Sequence, residues 1–194
     1  MSAENRPREL AGPRIRLVAF GSEHFDAMRR WRSDPEVTRY WITQDVPDQA
    51  DIQRSHEHNQ ANGSLVWAIL SHGEPIGYVT LIELDDVNRK SELALMIGER
   101  SAWGQGFAKE TLTTVLRHAF ASPDTGGLGL HKVWLTVFAE NTAARRAYQA
   151  SGFREDGILR EDMFRDGTWH DQLLMSVLED EFNDPVANRL GDDR

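Results

Sequence analysis

The sequence of 194 residues predicts a mixed α/β (α+β) domain built on one central sheet. Three observations lead there. The apolar period changes along the chain, from helical spacing before residue 62 to alternating or continuous apolar runs over 65–97, and the two kinds of run then alternate. Turn signals separate the runs, among them His72-Gly73-Glu74, Asp85-Asp86-Val87-Asn88 and Asp166-Gly167. The length suits one domain with its own core and leaves little room for a second. The main elements run in the order βαα-βββ-α-β-α-ββ.

Arg14–Phe20 (RIRLVAF) alternates and reads as a strand. Ser22 is placed to cap a helix through Arg32, with Phe25, Met28 and Trp31 on its apolar face. Asp34-Pro35 starts a second helix, an Asp cap followed by Pro at the first helical position. Asp48 starts another, which ends near Asn62-Gly63. Leu65–Ser71, Pro75–Leu84 and Lys90–Ile97 read as an antiparallel meander. Phe107, Ala108, Leu112, Val115, Leu116 and Ala119 repeat at helical spacing within Gly104–Phe120, and Ser122–Leu130 is a loop. Val133–Phe138 is a short β-branched and aromatic strand, expected to be buried on both faces. Asn141–Ala150 is helical, with Gly152 as its stop, and Phe153–Phe164 and Thr168–Leu178 form a hairpin around Asp166-Gly167. Residues 1–13 and 183–194 are polar and weakly patterned, and are expected to be flexible arms around a domain spanning 14–182.

Acidic residues number 31 and basic residues 22, for a net charge of −9. A surface that tracks phosphates carries the opposite balance, so no nucleic-acid partner is expected. A cationic partner is welcome, although the same charge also serves solubility. The absence of cysteine excludes disulfides, thiolate metal sites and any acyl-cysteine intermediate, and it fits a reducing compartment. His56 and His58 cannot face one way on a helix, so no metal site is expected. The first residues carry no apolar run, and no stretch reaches the roughly 20 apolar residues of a membrane span, so the expected location is cytoplasmic, away from membranes. Whether the chain forms a homo-oligomer is left open.

The most informative stretch is Ile97–Glu110 (IGERSAWGQGFAKE): a strand runs into a Gly-rich turn, and the turn opens a helix. The first-turn N–H groups of a helix have no internal partners, and with the helix dipole they form an anion site. The Walker pattern is absent, and the dinucleotide fingerprint begun at Gly104-x-Gly106 has Lys109 where its third glycine belongs. Taken alone, the G-x-G is either a tight turn or an anion cradle.

A second block resolves this. Trp103-Gly104-Gln105-Gly106-Phe107-Ala108 with Glu110, and Asn141, Ala144, Tyr148, Gly152 and Phe153, resemble in order the pyrophosphate loop and the Asn-x-x-Ala-x-x-x-Tyr-x-x-x-Gly-Phe block of the GNAT N-acetyltransferase superfamily. The resemblance covers roughly 14–182. Trp103 stands where the broad pattern has Gln or Arg, which resembles the RimJ/RimL-like branch that acetylates ribosomal-protein N-termini and related small amines. The resemblance implies a central mixed, mostly antiparallel sheet of about seven strands flanked by helices, splayed between the fourth (Ser91–Ile97) and fifth (Val133–Phe138) strands. It also implies acetyl-CoA as cofactor: backbone of Met96 and Ile97 on the pantetheine, N–H groups of Gly104–Ala108 on the pyrophosphate, Asn141 on the pantetheine arm, and Arg145 or Arg146 at a phosphate unless each is simply exposed.

Without cysteine, direct attack of an amine on the thioester is the simple route. An alkylammonium of pKa about 10.4 is nucleophilic in only about one molecule in a thousand at neutral pH, so a base is useful. The resemblance implies Glu92, at the start of the strand bordering the thioester, with Glu83 as the second candidate. Tyr148 stands where the family's general acid stands; read from the residues alone it is first a core tyrosine on an amphipathic helix. Trp31, Tyr40 and Trp41 read as packing the first helices onto the sheet; the resemblance places the acceptor pocket in that region, with Trp41 as its expected contact. Thr38–Trp41, Leu81–Leu84 and Phe164–Met175 are similar to segments of bacterial spermidine acetyltransferases and, less closely, of ribosomal-protein N-terminal acetyltransferases. Asp34, Glu36, Asp45, Asp48 and Glu83 would suit a polyamine. The expected partner is therefore a small-molecule amine, with a peptide amine or a non-catalytic acyl-CoA-binding role as alternatives.

Overall fold

The computed structural model describes residues 9–43 and 45–184, so most of the two expected arms lies outside the described residues. The domain is one eight-stranded sheet with strand order β1-β2-β3-β4-β5-β6-β8-β7. Its strands are β1 (Glu9–Ala11), β2 (Ile15–Ala19), β3 (Leu65–Ser71), β4 (Glu74–Asp85), β5 (Lys90–Ile97), β6 (Lys132–Phe138), β7 (Arg154–Arg165) and β8 (Thr168–Leu178). The helices are α1 (Phe25–Arg32), α2 (Pro35–Thr38), α3 (Gln49–Ala61), α4 (Phe107–Phe120) and α5 (Thr142–Gln149). All neighbouring strands are antiparallel except β5 and β6.

The strand beyond the expected seven is β1, inside the segment read as an arm. Three residues are too few to show a period, but they pair with β2, and Glu9 holds Arg16 through two hydrogen bonds of 2.6 and 2.9 Å. The start of the first helix also differs from expectation. Gly21, not Ser22, caps a 3-10 turn over Ser22–His24 that leads into α1, and in it His24 Nδ1 accepts from Gly21 N–H at 3.1 Å. The later caps follow the sequence. Asp34 Oδ1 accepts from Glu36 N–H at 2.9 Å, and Asp48 and Asp51 cap each other's N–H groups at 2.7 and 2.9 Å.

Two cores flank the sheet. On one face Leu112, Val115, Leu116 and Ala119 of α4 and Tyr148 of α5 pack on Leu17, Ile69, Val79, Leu81, Leu93 and Val133. On the other, Phe25 and Trp31 of α1 and Ile52 of α3 pack on Ala68, Tyr78 and Met96. Strand β6 departs from the expected two-sided burial. Val133, Leu135 and Val137 are buried under α4 and α5, whereas Trp134 and Thr136 on the other face are only half-buried.

The expected splay is present. Strands β5 and β6 pair only at Lys90–Lys132, Ser91–Val133 and Glu92–Trp134; beyond Glu92 the two strands separate. Strand β6 turns instead to β8, with which it pairs along its whole length.

Candidate active site

The splay has two sides, and strand alternation assigns residues to them. On β5, Leu93 belongs to the α4–α5 core and Met96 to the α1–α3 core. Side chains alternate along a strand, so Glu92 lies on the α1–α3 face with Met96. Glu92 is half-buried at the last paired position before the splay, and its pKa is raised, first by desolvation and then by the charge of Glu83. Glu83 is exposed and sits where the β4–β5 register breaks, with a left-handed φ of 45° and its N–H donating to Ser64 Oγ at 3.1 Å.

Tyr148 approaches from the opposite face. It is buried in the α4–α5 core with its ring 5.6 Å from that of Phe153, and burial pushes its pKa up to about 12. Asn141 caps α5, its Oδ1 accepting from Ala144 N–H at 3.2 Å. The two arginines that follow separate in role. Arg145 donates to the Ala139 carbonyl at 2.9 Å and to Glu155 at 3.0 Å, which commits it to the fold, while Arg146 is exposed.

The Gly-rich turn owes its shape to backbone conformation. Gly104 and Gly106 have φ of 70° and 81°, a region L side chains rarely adopt. Gly106 is the N-cap of α4 and has no side chain with which to cap it, so the first-turn N–H groups at Phe107 and Ala108 fit an anion. Trp103 is partly exposed, and its Nε1–H donates to the Ile97 carbonyl at 2.7 Å, tying the turn back to β5. Gln105 Nε2 donates to the Ser101 carbonyl at 2.6 Å. Sequence reasoning missed the residue that fastens this turn from outside. Arg14 donates to the Gln105 carbonyl at 3.1 Å, bonds Glu110, and sets its guanidinium 4.5 Å from the centre of the buried Phe107 ring. Glu110 was visible as part of the loop block; nothing in the sequence names its partner. Gly77 lies against the end of β5, where a Cβ would come 2.1 Å from the Met96 carbonyl.

On the α1–α3 face, the segment after α2 bridges the two sides of the splay. The Trp41 ring lies 5.6 Å from Tyr78, the residue opposite Met96, and the Tyr40 ring lies 5.7 Å from Phe138 at the end of β6. Trp31 packs on the backbone of Gly98, just past β5. The acidic residues expected here divide. Asp34 and Asp48 are spent on helix caps, Asp34 also facing Arg100 at 3.7 Å, while Glu36, Asp45 and Glu83 are exposed. His170 pairs with Glu140 at 2.8 Å, and that bond raises its pKa.

A surface cavity of about 460 Å³ lies elsewhere, near the starts of β5 and β6, lined by Arg89, Phe120, Leu128 and Glu179 among others; no expected site residue borders it. Among the described residues no three potential metal ligands cluster, and no helix is long and apolar enough to cross a membrane.

Residues 14–154 match the acetyltransferase (GNAT) domain family. The chain belongs to the GNAT acetyltransferases. It is an acetyl-CoA-dependent enzyme that transfers an acetyl group to a primary amine. This acetyltransferase is 28% identical over 149 residues to the spermidine N(1)-acetyltransferase of Vibrio cholerae, a match covering 75% of this chain and 82% of the relative. The crystal structure of spermidine N-acetyltransferase from Vibrio cholerae in complex with CoA and spermine superposes with a TM-score of 0.78 at 24% identity, covering 87% of this chain and 97% of that one. Mycobacterium smegmatis RimJ in complex with CoA-disulfide superposes with a TM-score of 0.82 at 22% identity, covering 97% and 96%. At these identities the two superpositions establish that the acetyltransferase shares their fold.

Proposed function

We propose that this acetyltransferase acetylates a small cationic amine, a polyamine or amino-sugar, by direct attack within a ternary complex. The observation that carries this reading is the pair of carboxylates at the α1–α3 side of the splay: Glu92, half-buried, with Glu83 close enough to raise its pKa. Two carboxylates favour an approaching ammonium, and the half-buried one is poised to take its proton. The likeness to spermidine N(1)-acetyltransferase supports the same acceptor class.

In this reading Met96, Ile97, Trp103, Gly104, Gln105, Gly106, Phe107, Ala108, Asn141 and Arg146 hold acetyl-CoA. The first-turn N–H groups of α4 face its pyrophosphate, and Trp41 and Glu83 line the acceptor side. When bound, acetyl-CoA supplies an acetyl group activated as a thioester. Glu92 removes a proton from the ammonium, directly or through a water, leaving the nitrogen lone pair free to attack the carbonyl carbon. Tyr148, on the opposite face, holds its proton at neutral pH and gives it to the departing thiolate. Base and acid thus work from opposite faces of one sheet and do not neutralise each other.

A second acceptor class, a protein N-terminus, is favoured by one feature. Phe164 and Trp169 near the tip of the β7–β8 hairpin are 60% and 57% exposed with ring centroids 5.0 Å apart, a surface that an extended peptide would cover. A CoA-release screen over polyamines, aminoglycosides, amino-sugars and N-terminal peptides tests both. Turnover confined to peptides would replace the small-amine reading.

A further inference from the structure

Strand β7 is exposed along nearly its whole length, and its last residue is the exception. Arg165 is 7% exposed, and among the described residues it pairs with no carboxylate. Its guanidinium reaches across the fold to the segment after α2. Nη1 donates to the Arg39 carbonyl at 2.9 Å, and Nη2 donates to the carbonyls of Trp41 and of Ile42, the latter at 3.2 Å. The same group lies 5.0 Å from the centre of the Phe138 ring, which in turn meets Tyr40. A buried guanidinium is costly unless its donors are satisfied, and a planar fork can serve three carbonyls where an ammonium point charge cannot hold the same fan. A single side chain thus joins the hairpin, the end of β6 and the 39–42 segment that spans the splay.

We propose that Arg165 is a positioning residue for acceptor selectivity: it fixes the segment bearing Tyr40 and Trp41 as the roof over the acceptor side, and so sets which amine fits. The proposal rests on the reading of the α1–α3 face as the acceptor side. The contacts of Arg165 with Arg39, Trp41, Ile42 and Phe138 include no residue of the Gly-rich turn at Gly104–Phe107, so acetyl-CoA affinity is expected not to depend on it.

The test uses the full chain with spermidine and glucosamine as acceptors, measuring kcat and KM for each, and acetyl-CoA affinity by calorimetry. Arg165→Met is expected to raise acceptor KM about tenfold or more and to change the spermidine-to-glucosamine ratio of kcat/KM, with acetyl-CoA affinity held within about twofold. Arg165→Lys is expected to recover part of the loss, and it carries the test if the Met variant does not fold. Unchanged acceptor KM and ratio, or a parallel loss of acetyl-CoA affinity, overturns the proposal. Trp41→Ala separates the two levels. If it raises acceptor KM while Arg165→Met is silent, only the role of Arg165 falls. If both are silent, or neither amine is acetylated, the acceptor reading falls and takes the proposal with it.

Discussion

Glu110 grips Arg14 at two places: Oε1 accepts from the Arg14 backbone N–H at 2.6 Å and Oε2 from its Nε at 2.8 Å. One carboxylate near the start of α4 therefore holds the chain just before β2, and Arg14 returns the contact to the Gly-rich turn through the Gln105 carbonyl. Glu110→Ala is expected to cost about 1–2 kcal/mol of stability, since it removes charge-assisted bonds to a partly exposed partner. It is also expected to weaken acetyl-CoA binding severalfold, with acceptor KM little moved. Denaturant titration and calorimetry check the two parts; unchanged acetyl-CoA affinity would mean the clamp does not shape the turn.

Tyr148→Phe removes only the phenolic oxygen from a buried ring. It is expected to lower kcat tenfold or more with acetyl-CoA affinity preserved. Because burial lifts the Tyr148 pKa to about 12, no alkaline limb from this group is expected in the pH–rate profile below pH 10. Steady-state kinetics with both substrates varied decides this, and an unchanged kcat removes Tyr148 from the reaction.

Glu92 must be ionised to accept a proton, and its pKa is raised by burial and by Glu83. Activity should therefore rise with pH along an acidic limb lying above the ordinary carboxylate range. Glu83→Gln removes the neighbouring charge and should move that limb to lower pH, whereas Glu92→Gln should abolish it. A carboxyl whose pKa rises on folding opposes folding once pH exceeds its unfolded value, and does so fully above the folded one, so Glu92→Gln should be no less stable than the parent at pH 7. Full pH–rate profiles of the three proteins, with melting curves, test this; an identical limb in Glu92→Gln excludes Glu92 as the base.

His118 is buried on α4 with its ring edge-on to Trp67 at 6.2 Å, and desolvation lowers its pKa to about 4. The unfolded chain takes up this proton near pH 6.5, so the stability contributed by neutral His118 is complete above that pH and is lost as pH falls toward 4. The melting temperature should drop over that interval, and less steeply in His118→Leu. Equal slopes would assign the acid sensitivity to other groups.

The Gly-rich turn was legible because its backbone demands it: Gly104 and Gly106 sit at positive φ, and a short motif records that need directly. Helix starts at Asp34 and Asp48 were legible for the same local reason, each cap lying within three residues of the group it satisfies. The splay and the positions of Glu92 and Tyr148 came from the resemblance. What stayed hidden is long-range. Arg14 meets Glu110 across 96 residues, and Arg165 reaches Arg39 across 126; no period or spacing encodes such pairs. Strand β1 escaped because three residues cannot alternate visibly. Among the acidic residues Asp34 and Asp48 also cap helices, a local use that the overall charge balance does not record.

The ladder that joins the two halves of the sheet is three residues long, from Lys90–Lys132 to Glu92–Trp134. Mechanically this is a seam, with β1 to β5 on one side and β6, β8 and β7 on the other. A compound seated where the strands part touches both halves, so occupying the site and fastening the seam become one free-energy change. Saturation with the acyl donor should then do more than raise the midpoint of unfolding. It should sharpen the transition, as two half-sheets that could loosen one after the other are made to come apart together.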